Sequence, residues 1–353
     1  MNYKDDSQYP SSSLLALFVA FTVFAHELAF QYRAAPPRAG LSETGDTSGL
    51  ASSSSGFRSI PLPRSSEQGS EVKESEGERD FPEVSRHLQW GAFAGQGEDD
   101  LNNFERLVGA EVDIRAFFVG LGDPFPSDIA ASLRAKGKTL LIFLESYRTS
   151  LEAINQGEWD DYLDNFAQAA KASGVEMIIA PFPEMNGNWD PWSGYGPDGK
   201  MINPPSRIIE AWQNIHDRFQ DASNVKFAWA VNNISVPDIP QNDPSAYYPG
   251  DDYVDYVGVD GFNFGDPWQS FGSVFDQAIE KLLIYRKPIY IFSMANIAHP
   301  DKAAWIAEGL GAHVKGYPGL AGWVWFHQDG HDGNWTVDSD AASLEAFKAV
   351  IPD

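Results

Sequence analysis

TLLIFLESYRTSLEAINQGEWDDYLDNFAQAAKASGVEMIIAPFPE, from Thr139 to Glu184, holds two apolar runs of strand length on either side of an amphipathic stretch. The outer runs, TLLIFLE and EMIIAPFPE, are apolar at nearly every position, as strands covered on both faces are. Between them, Asp160 to Ser173 places Tyr162, Phe166 and Ala170 at fourfold spacing, which puts the three on one side of a helix. Parallel strands need a crossover, and a helix of this length supplies it. The stretch predicts a strand–helix–strand unit whose second strand ends at Glu184.

The same texture extends in both directions from His87 onward. LQWGAF and VDIRAFFV precede the unit; VKFAWAVN, DYVGVDGFN, PIYIFSMAN and LAGWVWFHQD follow it. A further helix is expected over Arg207 to Phe219, with Ile208, Trp212 and Ile215 on its apolar side, and the segment after the fifth run reads mainly as loop. Eight such runs over residues 87–353 predict an α/β fold, a single-domain (β/α)8 TIM barrel. A doubly wound open sheet is the alternative. No Gly-rich phosphate fingerprint follows the first run, so nucleotide binding has no support and no cofactor is expected.

Ahead of the barrel, residues 1–32 contain the apolar run Leu14 to Ala25 behind a polar start, which predicts a signal peptide or membrane anchor. Residues 33–86, rich in Ser, Gly, Pro and Glu, predict a disordered linker able to tether the domain to a membrane or cell surface. A secreted or cell-surface, extracellular location follows. The net charge of -25 argues against nucleic acid as a partner. With no cysteine, disulfides, thiol nucleophiles and thiolate metal sites are excluded. The eleven tryptophans are expected to divide between core and stacking surfaces for sugar rings.

In such a barrel the C-terminal ends of the strands face the site. PFPEMNGNWDPWSGY, Pro181 to Tyr195, sets Glu184 among Asn186, Trp189 and Trp192. A carboxyl beside apolar rings suits proton donation to a glycosidic oxygen. Its pattern, E-M-N-G-x-W-x-x-W, resembles the acid/base motif of glycoside hydrolase family 26. YYPGDDYVDYVGVDGFN, residues 247–263, resembles that family's sixth strand, and GWVWFHQD with DGNWTVDSDAASLEAF continues the match, so the similarity covers residues 87–353. The resemblance implies a (β/α)8 barrel acting on mannan-type β-linked polysaccharide by retaining hydrolysis. It also implies Glu184 as acid/base, with Asn186, Trp189, Trp192, Asp260, Phe262, Trp323 and Trp325 as sugar contacts. Trp323 and Trp325, two apart on one strand, read equally well as barrel core.

The departures from the family concern catalysis. Retaining cleavage needs a second carboxyl about 5–5.5 Å from the first, and the family carries it in a pattern close to K-P-I-x-I-x-E-x-G. This chain reads KPIYIFSMAN, with Ser293 at the nucleophile position and Ala295 at the glycine. Ala180 stands where the family has arginine, Pro183 where it has histidine and Phe262 where it has tyrosine. A serine without an adjacent base is a poor nucleophile. The expectation is a degenerate catalytic site with Glu184 as remnant acid/base, in an extracellular domain that binds or organises polysaccharide.

Two alternatives remain open at this stage. One is an active mannanase-type enzyme in which water occupies the space left by Ser293 and Asp260 or Glu145 serves as base. The other is a structural subunit of a self-assembling extracellular structure. His327, Asp329, His331 and Asp332 look like metal ligands in HQDGHD but are read as solvated or turn-capping residues, and no metal is expected.

Overall fold

The computed structural model describes residues 88–330 and 333–352. The leader and linker expected over residues 1–32 and 33–86 lie outside the described residues. Among the described residues, no helix is long and apolar enough to cross a membrane.

Eight parallel strands close into a barrel in sequence order: β1 (Gln89–Phe93), β2 (Ile114–Gly120), β3 (Thr139–Glu145), β4 (Met177–Pro181), β5 (Val225–Asn232), β6 (Tyr256–Asn263), β7 (Ile289–Asn296) and β8 (Leu320–Phe326). Closure comes from β1, which pairs with β2 at Gly91↔Ile114 and with β8 at Gln89↔Gly322. The (β/α)8 expectation is the observed fold. Helices α1 (Asp100–Val108), α2 (Ser127–Ala135), α3 (Leu151–Asn155), α4 (Asp160–Ser173), α5 (Pro205–Arg218), α6 (Phe271–Leu282), α7 (Lys302–Glu308) and α8 (Ala341–Val350) surround it. The segment after β5 forms only two short 3-10 turns, at Pro240–Asn242 and Pro244–Tyr247.

The α4 range matches the sequence expectation, with Phe166 and Ala170 buried; Leu163 and Ala167 complete the inner face and Tyr162 sits at its margin. Two apolar cores result. Inside the barrel, Phe93, Ile114, Ala116, Leu141, Phe143, Ile178, Ala180, Ala228, Ala230, Tyr290, Phe292 and Val324 pack as one cluster. Small and large side chains must alternate to fill this space. At Gly258 the Phe292 ring occupies the place of a Cβ, which would fall 2.2 Å from Phe292 Cδ2. Between barrel and helices lies the second, larger core.

Trp323 and Trp325 belong to that outer layer, which corrects their expected role as sugar contacts. Their neighbour Val324 points into the barrel, so the tryptophans on either side of it point away, onto Phe347 of α8 at 6.0 and 5.3 Å between ring centroids. Both are fully buried. Of the eleven tryptophans, nine are buried, leaving Trp159 and Trp268 with intermediate exposure. Core packing therefore takes most of the aromatic content that the composition suggested for sugar stacking.

Candidate active site

β4 stops at Pro181, three residues short of Glu184, which sits in a turn rather than on the strand end. Phe182 and Glu184 both adopt left-handed backbone, at φ 51° and 56°. Such conformations cost about 1 kcal/mol or more for residues with a Cβ and collect at functional sites. The turn is held by main-chain bonds: Phe182 N donates to Leu144 O, Glu184 N to Ala230 O, and Gly187 N to Glu184 O. Glu184 is the one partly exposed residue from Pro181 to Asp190.

The motif E-M-N-G-x-W describes how this carboxylate is aimed. Trp189 folds back across Gly187, where a Cβ would fall 2.5 Å from Trp189 Cζ2. Its Nε1 then donates to Glu184 Oε2 at 2.9 Å. Trp189 is thus a holder of the acid, with its ring buried. Trp192 is only 1% exposed; its Nε1 donates to Pro183 O at 2.7 Å and its ring meets Tyr147 edge-on at 4.8 Å. That burial leaves no open face for a sugar, a second correction to the expected contacts.

Asn186 is a third. Its Oδ1 accepts from Asn232 N at 2.8 Å, and its Nδ2 donates to Asn232 O at 2.9 Å and Ile234 O at 3.2 Å. Asn242 Nδ2 and Val236 N bond its carbonyl. The side chain acts as a length of missing strand that sews the turn after β4 to the end of β5.

Asp260 and Ser293 are neighbours. They pair across β6 and β7, at the point where the register shifts between Val259 and Asp260. Asp260 is buried, with Oδ1 sealed from solvent and unpartnered. Burial pushes its carboxyl well above the ordinary carboxylate range, Glu184 pushes it further, and a backbone hydrogen bond from Ser293 opposes both. Glu145, at the end of β3, is likewise pushed well up, by burial first and then by Asp190 and Asp123. Tyr147 donates to Asp190 Oδ1 at 2.8 Å, and its own hydroxyl is raised by burial and by the Asp190 charge.

These shifts set a stability prediction. A carboxyl with a raised native pKa adds nothing below its unfolded value, about 3.9 for Asp, and becomes an increasing penalty as pH climbs above it. Asp260→Asn keeps the shape of the neutral acid, and Asn232, its register partner on β5, offers a sealed, unpartnered Oδ1 as acceptor. Thermal unfolding of this variant is expected to match the parent at pH 4 and to occur a few degrees higher at pH 7.

Phe262 occupies the margin of the site, half-buried, with ring neighbours Phe326 at 5.7 Å and Trp335 at 5.3 Å. Phe118 and Phe326, which the sequence reading did not single out, form the rest of the floor. Phe118 meets Phe93 edge-on at 4.9 Å and Phe326 stacks on it at 5.1 Å, and both are partly exposed. Their signal was available: each lies two residues beyond an inward-facing residue at the end of its strand.

His327 turns away from the HQDGHD loop. Its Nδ1 accepts from Val337 N at 3.1 Å, its ring packs on Phe104, and burial pushes its pKa down to about 4. His331 and Asp332 lie outside the described residues. No group of three His, Asp, Glu or Cys side chains fit to hold a metal occurs among the described residues.

Residues 147–299 match the profile of Glycosyl hydrolase family 26. Endoglucanase H of Acetivibrio thermocellus is 33% identical over 281 residues, which are 75% of this chain and 30% of that protein. Mannan endo-1,4-beta-mannosidase A and B of Caldalkalibacillus mannanilyticus is 29% identical over 150 residues, 41% of this chain and 27% of that protein. The chain thus spans about a third or less of the length of these relatives. Among solved structures, the catalytic domain of the Bacillus sp. JAMB-750 GH26 endo-beta-1,4-mannanase superposes with a TM-score of 0.59 at 15% identity, covering 76% of this chain and 87% of that one. The GH26 beta-mannanase of Bacteroides ovatus gives 0.56 at 16% identity, over 75% and 88%.

Proposed function

We propose, on the premise that the chain belongs to glycosyl hydrolase family 26, that it binds a mannan-type β-linked polysaccharide above Glu184 without cleaving it by the retaining route. One observation carries the reading. Glu184 is the partly exposed carboxylate of the site, while the position expected to attack the sugar is Ser293 and the nearest buried acids, Asp260 and Glu145, are held toward their neutral forms. A neutral, buried carboxyl is neither nucleophile nor base.

The mannan named as substrate of the Caldalkalibacillus mannanilyticus relative supports the substrate class, and the aromatic floor of Phe118, Phe262 and Phe326 suits the C–H faces of a pyranose. Location outside the cell is part of this reading and rests on the apolar run Leu14 to Ala25.

A second reading draws on the same two carboxyls. Asp260, held toward its neutral form, could donate a proton, and the partly exposed Glu184 could meet a water. Asp260 as the acid and Glu184 as a base acting on water would invert the sugar, with carboxyls about 6.5–9.5 Å apart.

The test is incubation of the full chain with mannan, glucomannan and mixed-linkage glucan, reading reducing ends alongside retardation in gels that contain each polymer. Retardation without reducing ends is expected. Sustained turnover lost in both Glu184→Gln and Asp260→Asn would establish the inverting reading instead.

A further inference from the structure

With the motif tryptophans buried, the phenylalanine floor is the aromatic surface within the site, and the rim of the barrel adds an indole. Trp268 and His299 lie in the loops that follow β6 and β7. Their rings stack with centroids 4.1 Å apart and planes at 15°.

Both rings are fixed before any ligand arrives. Asn263, the fully buried last residue of β6, donates from Nδ2 to Gln269 O at 2.7 Å and accepts at Oδ1 from Gln269 N at 3.3 Å and Gly265 N at 3.1 Å. This clamps the loop on either side of Trp268. His299 is oriented by Asp301 N, which donates to its Nδ1 at 3.1 Å, and by Lys302 N, which donates to its carbonyl. A surface fixed in advance loses little entropy on binding.

Register places the pair. Asn263 and Asn296 pair across β6 and β7, each three residues beyond Asp260 and Ser293. The loops that carry Trp268 and His299 therefore rise from the strand ends directly above the position where the nucleophile is missing. Unlike Trp212, Trp229 and Trp305, Trp268 is not among the residues whose indole N–H is sealed and unpartnered. Exposed Asp266 and Asp301 flank the two rings, and the whole chain carries a net charge of -25. That field disfavours a uronate-rich polymer.

We propose that Trp268, backed by His299, is a stacking platform for one pyranose ring of a neutral β-linked glycan at the mouth of the barrel. The inference rests on the cleft being a glycan site. It adds which side chain holds the chain of sugars and which charge class is admitted.

Affinity electrophoresis of the full chain in gels containing glucomannan or polygalacturonate tests it, with melting temperatures recorded in parallel. The parent is expected to be retarded by glucomannan and to pass freely through polygalacturonate. Trp268→Ala weakens retardation by about tenfold or more, while Trp268→Tyr stays within about threefold. Trp268→Leu keeps the apolar bulk without the flat ring and is expected to behave as Trp268→Ala, which covers the case in which the alanine variant unfolds. Undiminished retardation of a folded Trp268→Leu would overturn the platform and leave the cleft reading standing. A parent retarded by no glycan overturns both, and retardation by polygalacturonate alone overturns the charge class.

Discussion

Ser293→Glu combined with Phe262→Tyr is expected to release reducing ends from glucomannan at least about 10²-fold faster than the parent, because under the proposed function it supplies the nucleophile and hydrogen-bond donor that the site lacks beside Glu184. The geometry favours acceptance of the longer side chain. Ser293 lies between two irregularities, the register shift of β6 at Val259/Asp260 and that of β7 against β8 between Ile291 and Met294. Ser293 is buried, so the longer side chain must find its room in this irregular stretch of the sheet. Asp260, held toward its neutral form, is a donor to the new carboxylate across the strand pair. Products should keep the anomeric configuration of the substrate, as a retaining pair dictates. A folded double variant that produces no reducing ends would show that Glu184 and the introduced carboxylate do not stand at the separation of a retaining pair.

Asn186→Ala is expected to cost about 3 kcal/mol, since it strands buried main-chain groups of Asn232 and Ile234 that the side chain now satisfies. For a domain of this size that lowers the melting temperature by about 6–12 °C. Chemical denaturation should show the same loss at unchanged slope. If Asn186 were a sugar contact instead, the alanine variant would melt with the parent and lose only its retardation in glycan gels.

The contrast between Asn186 as expected and Asn186 as found shows where sequence stops informing. Its spacing from Glu184 is legible, but Phe182 and Glu184 take left-handed backbone without glycine or asparagine to announce it. Two such residues rotate the turn, sending Asn186 beneath the site and bringing Trp189 back onto the acid. The barrel itself was legible because eight apolar runs separated by helical periods admit few other folds. Which face of a run points inward was not, because a strand buried on both sides has no polar alternation to read. Trp323, Val324 and Trp325 are the plain case. Asp260 reads from the sequence as a possible base together with Glu145, and the register sets Asp260 beside Ser293.

The aromatic packing inside the barrel has a consequence for traffic. Phe118 stacks on Phe143 at 4.8 Å, Phe93 lies against both Phe118 and Phe326, and Phe292 fills the space over Gly258. Below the carboxylates the barrel is plugged, so the site is a well with one mouth. A sugar that settles there must send its displaced water out through the opening by which it entered. Under the proposed function Trp268 and His299 stand at that opening, and the order in which rings and waters pass them would set how fast a long polymer is taken up and let go.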